Sequence, residues 1–190
     1  LADNLNGIMP NSRSAVAKAV HIDEEVLTKI LPIHPMAALL LKNISTAFAS
    51  NQRSMFNFIK NESEDLHAFQ WYIENHSPNE YQILTIDYLW DFFYEKGTDE
   101  HGTNVGRSNL DNIIATILDT YTLNEKSLSE EQKTVLKTIL MMQAISQKFG
   151  DSLELLQPSA KNLNLAFEGT NYDNNYGYNI AKNQLVKKGI

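Results

Sequence analysis

Apolar residues recur at three- and four-residue steps along most of this chain, a spacing that predicts helices almost throughout. Residues 1–11 carry Gly7, Pro10 and several Asn, and they predict a loop. Asp23 ahead of Glu24 and Glu25 reads as an N-cap with acidic residues in the first turn, opening a short helix that ends before Pro32. Pro35 fits the first position of the next helix, where its missing N–H costs nothing. His34, as the residue before a proline, is expected to be extended and to fix that helix start. Leu40, Ile44 and Phe48 then share one stripe, and Met55, Phe56 and Ile59 give the apolar face of a following helix.

Further on, Ser63 opens a helix carrying Leu66, Phe69, Trp71 and Ile73 that closes near Ser77 and Pro78. Residues 81–86 offer the one plausible strand, a short one. Thr85 or Asp87 caps an aromatic helix through Leu89, Trp90, Phe92, Phe93 and Tyr94, and residues 97–106 form a polar, Gly- and Thr-rich loop. A period of 3.6 marks residues 110–121 as helical. Ser129 and Gln132 make a capping box before a helix of about 18 residues, which Gly150 and Asp151 end. Pro158 and Ser159 open a short helix, and residues 172–188 form the last. The fold class is all-α, a multi-helix bundle, divided into a helical domain over 1–125 and a helical extension over 126–190.

Composition narrows the function classes. At 190 residues and 43% hydrophobic content the chain can bury a substantial core. The net charge of -7 disfavours nucleic acid as a partner, and Lys182, Lys187 and Lys188 read as a solvated helix end. With no cysteine there are neither disulfides nor thiolate metal sites, in agreement with a cytoplasmic location. No membrane span or signal peptide is legible. The chain opens at Leu1 without Met and closes on a Gly189–Ile190 pair, so both ends read as cut, although a natural C-terminus can also end this way.

Independent chemistry finds little support. The phosphate-cradling loop GxxxxGK[ST] is missing, and the histidines at 21, 34, 67, 76 and 101 form no metal-ligand spacing, so no metal is expected. Asp87 and Asp91, four apart, read as a solvated helix face beside a core Trp90 and Phe93. Arg53 is different. Arg occurs only at 13, 53 and 107, and its rigid fork pairs bidentately with phosphate or carboxylate. Local chemistry leaves both partners open for it: a structural carboxylate or a ligand phosphate.

The order His34-Pro35, the apolar run Leu39 to Leu41 and Phe48, the cluster Asn51-Gln52-Arg53-Ser54, then Phe56 and Phe58, resembles a segment of large bacterial P-loop ATPases. These AAA-like proteins, some associated with phage defence, carry such a segment after the nucleotide-binding core. The aromatic run Leu89-Trp90-Asp91-Phe92-Phe93 resembles the helix that commonly follows, so the likeness covers roughly residues 30–95. A fainter one, from Asn162 to Thr170 and over residues 180–190, resembles part of a winged-helix module. The resemblance implies a non-catalytic helical lid that couples nucleotide state to conformational change. ATP and Mg would be held by the P-loop core of the same polypeptide, which this chain lacks. Arg53 would sense the γ-phosphate, with Asn51 and Gln52 beside it. The competing expectation is an autonomous all-α module that docks a protein partner.

Overall fold

The computed structural model describes residues 7–47, 55–62, 64, 67–76, 82–95 and 112–190. The fold is all-α. Its helices are α1 (Pro10–Val20), α2 (Glu24–Thr28), α3 (Pro35–Ala47), α4 (Met55–Lys60) and α5 (Phe69–Asn75), then α6 (Ile86–Trp90), which runs on as a π-helical turn over Asp91–Glu95. After them come α7 (Asn112–Asn124), α8 (Glu130–Phe149), α9 (Ala160–Phe167) and α10 (Tyr176–Ile180), the last continued by Ala181–Leu185 and Val186–Lys188.

Helix α8 is the axis of the packing. Its capping box closes as the sequence predicts: Ser129 Oγ accepts from Gln132 N, and Gln132 Oε1 accepts from Ser129 N. It buries Val135, Leu136, Leu140, Met141, Met142, Ala144 and Ile145, a stripe wide enough to face several neighbours at once. Those neighbours are α3, α6, α7 and α10. The buried side chains form one continuous core from Val16 to Leu185. At α10 the packing is close enough that a Cβ on Gly177 would sit 2.5 Å from Phe167 Cδ2.

Several expectations hold. Asp23 caps α2, its carboxylate accepting from Glu25 N at 3.0 Å. Pro35 is the first residue of α3, with Leu40 and Ile44 buried, while Phe48 lies outside the described residues. Ser159 caps α9, and Gly189 takes the left-handed conformation that closes the last helix.

Others need correction. Residues 10 and 11 are helical rather than loop, because Pro10 sits where a helix has no use for an N–H. The expected strand is reduced to one parallel bridge between Ile33 and Leu84. Of the helix expected from Ser63, Ser63 and Leu66 lie outside the described residues; the described helix is Phe69–Asn75, ahead of which His67 turns left-handed, φ 45, and stacks on Trp71 at 3.9 Å. The last helix begins at Tyr176, since Asn174 and Asn175 both take positive φ and cannot continue a right-handed helix. On α4 the buried face is Phe58, wholly inaccessible, while Met55 and Phe56 point outward. Phe58 wins the core because Phe69, Phe92 and Phe93 form an aromatic pocket around it, with centroids 5.2–6.4 Å away.

Candidate functional site

Among the described residues of 30–95, His34 is the polar side chain buried in the core. It is fully buried, and both ring nitrogens are engaged. Met36 N donates to Nδ1 at 3.1 Å, so the imidazole caps the first turn of α3. Nε2 lies 3.1 Å from the carbonyl oxygen of Glu168. A ring that accepts at Nδ1 and faces a carbonyl at Nε2 is neutral with its proton on Nε2. Burial drives the His34 pKa down from 6.5 to about 4, although the Glu168 carbonyl pulls the other way. The imidazole of His34 thus sits at the N-terminus of α3, whose first residue is Pro35.

Glu168 is the second half of this node, and sequence reasoning did not single it out. Its carboxylate accepts from Asn11 N at 3.1 Å and from Ser12 N at 2.6 Å, as well as from the Asn11 side-chain amide. Met9, at the N-cap of α1, offers no side-chain oxygen, so Glu168, 157 positions beyond Asn11, supplies the cap. The first turn is then fully accounted for: Pro10 has no N–H, and Arg13 N donates to Met9 O. An acidic group at this end also meets the positive pole of the helix. One residue thus ties α1, α3 and the turn after α9 together.

A cleft of about 350 Å³ opens between α5, the start of α6 and the 169–172 turn. Tyr72, His76, Asp87, Tyr88, Thr134 and Tyr172 are among its walls. Asp87 is half-buried here, which corrects the expectation of a solvated Asp87/Asp91 face. Burial pushes its carboxyl pKa up, opposed by the hydrogen bond from Thr85 Oγ1 at 2.6 Å. Asp91 is salt-bridged to Lys137 of α8 at 2.9 Å. Among the described residues, the hydroxyls of Tyr72 and Tyr88 are buried with no hydrogen-bond partner, which is costly for a polar group. Burial pushes the Tyr72 phenol up to about 12. His76 Nδ1 lies 2.9 Å from Tyr72 O, and its ring stacks on the Tyr72 ring at 4.1 Å.

Asn51, Gln52 and Arg53, the candidate phosphate contacts, lie outside the described residues, as does the 97–106 loop. At the other end of the chain Lys188 is used internally, donating to Ser127 O at 2.6 Å and Gln132 Oε1 at 3.2 Å. Among the described residues no helix is long and apolar enough to cross a membrane. No protein-family model, curated protein or solved structure matches this chain.

Proposed function

We propose that this chain is a helical docking and coupling module, not catalytic by itself, whose working end is the 51–56 region. The observation that carries this reading is the split along α4. Phe58 is locked in the core, whereas Phe56 is 62% exposed and Met55 44% exposed, directly after the Arg53 cluster in sequence. Two large exposed apolar side chains that follow Arg53 in sequence fit a surface that closes on another body. At the far end of α3 the His34–Glu168 node fastens the helix to α1 and the 168–175 turn. A push at the docking end would then be carried into the whole core.

The body it would meet, following the resemblance in residues 30–95, is a P-loop ATPase core in the same cytoplasmic polypeptide. ATP and Mg would sit in that core, with Arg53 reaching toward the γ-phosphate from this chain. The test is ATP turnover by the natural polypeptide, wild type against Arg53→Ala, with folding matched by circular dichroism. Turnover falling by about a hundredfold or more supports the lid, in line with arginines that stabilise transferring phosphoryl groups. Turnover unchanged returns Arg53 to a structural ion pair. The same docking surface would then serve another protein partner, the second reading that the exposed Phe56 supports.

A further inference from the structure

All the sulfur in this chain is thioether: there are five methionines and no cysteine. Four of the five are shut inside the core. Met9 is 2% exposed, and Met36 of α3 and Met141 and Met142 of α8 are wholly inaccessible. Met55, the first residue of α4, is 44% exposed and directly precedes the exposed Phe56. All five lie among the described residues, so the remaining residues hold no sulfur that would compete with Met55.

A thioether is oxidised where the oxidant can touch its sulfur, and a close-packed core keeps oxidants away. With a peroxide the step is a two-electron oxygen transfer. The sulfur lone pair attacks one peroxide oxygen, and the S–O bond forms as the O–O bond breaks. The departing hydroxide takes the proton left on the transferred oxygen and leaves as water. Sulfur has then lost two electrons to the peroxide. Methionine sulfoxide reductases reverse the change, and they need the same access to the side chain.

We propose that Met55 is a reversible oxidation site, and that its conversion to the sulfoxide by a peroxide switches the docking end off. The site follows from the exposure of Met55 against the burial of the other four; its consequence rests on the docking reading given above. Oxidation exchanges a flexible apolar side chain for a polar one with a strong acceptor oxygen. In the undocked chain that oxygen stays in water, so the fold is unaffected. On docking it would be stripped of water inside an apolar contact, which is unfavourable without a donor to meet it. Phe56, the neighbouring exposed apolar residue, has no sulfur, so the switch belongs to Met55.

The test treats the folded chain with hydrogen peroxide and follows each methionine by peptide mass spectrometry, with the same treatment in concentrated urea as reference. In the folded chain Met55 should gain one oxygen at least about tenfold faster than Met9, Met36, Met141 or Met142, and in urea the five should react alike. A methionine sulfoxide reductase should remove the oxygen from Met55 without unfolding. The consequence is read on the natural polypeptide through Met55→Gln, a polar side chain of similar length. It should melt as wild type does, yet lower ATP turnover by about tenfold, as Phe56→Asp should. A buried methionine that oxidises as fast as Met55 in the folded chain overturns the site. Turnover at the wild-type level in Met55→Gln, with Phe56→Asp impaired, overturns the switch and leaves the docking reading standing. Wild-type turnover in both variants overturns the docking reading, and the switch with it.

Discussion

His34 Nε2 and the carbonyl oxygen of Glu168 meet at 3.1 Å across 134 residues of chain, and the same Glu168 caps α1 through its carboxylate. A buried neutral histidine and a buried glutamate therefore hold three separate segments at one point. Each group has its hydrogen-bonding capacity matched, which is the condition for polar groups to lie inside a core without penalty.

The node makes stability depend on pH. The unfolded His34 takes up a proton near 6.5, but the buried ring resists it down to about 4. Between those values the unfolded state binds more protons, so stability is full above about 6.5 and is lost as pH falls toward 4. The shift corresponds to about 3 kcal/mol. Urea unfolding at a series of pH values should show this loss, and His34→Gln should flatten it.

Glu168→Ala should unfold more easily by about 2 kcal/mol, because the buried N–H of Ser12 and the part-buried N–H of Asn11 lose a charged acceptor. Hydrogen exchange should rise first at Asn11 and Ser12. Glu168→Gln retains an acceptor and should cost less.

The two faces of α4 predict opposite outcomes for neighbouring phenylalanines. Phe58→Ala should lose about 3–5 kcal/mol through the cavity left among Phe69, Phe92 and Phe93. A substitution at the exposed Phe56 should stay within about 0.5 kcal/mol. Thermal and denaturant unfolding of both variants checks the difference.

Thr138 is wholly buried on α8, and its hydroxyl has no hydrogen-bond partner among the described residues. Thr138→Val keeps the shape while removing the unsatisfied group, so it should stabilise the protein by about 1 kcal/mol. A shift of the urea midpoint to lower concentration would contradict this.

The helical character was legible because α3, α8 and α9 announce themselves through local signals: Pro35 at a helix start, the Ser129–Gln132 box, and Ser159 at a cap. What escaped was set by distant partners. Pro10 looks like a loop residue until Glu168 arrives to cap the helix behind it. Phe56 and Phe58 sit two apart on one short helix, and only the aromatic residues folded against Phe58 decide which is buried. Asp87 reads as a surface carboxylate because nothing local reveals the Tyr72 and Tyr172 walls around it. His34 was found by its proline neighbour, but its partner 134 positions on leaves no trace in a helical period.

The most direct test of the docking account is ATP turnover by the natural polypeptide carrying Phe56→Asp, with thermal unfolding followed alongside. The account predicts a melting temperature close to wild type and a turnover reduced at least about tenfold, since a charge would be forced into an apolar contact made only on docking. Turnover equal to wild type at unchanged stability would contradict it.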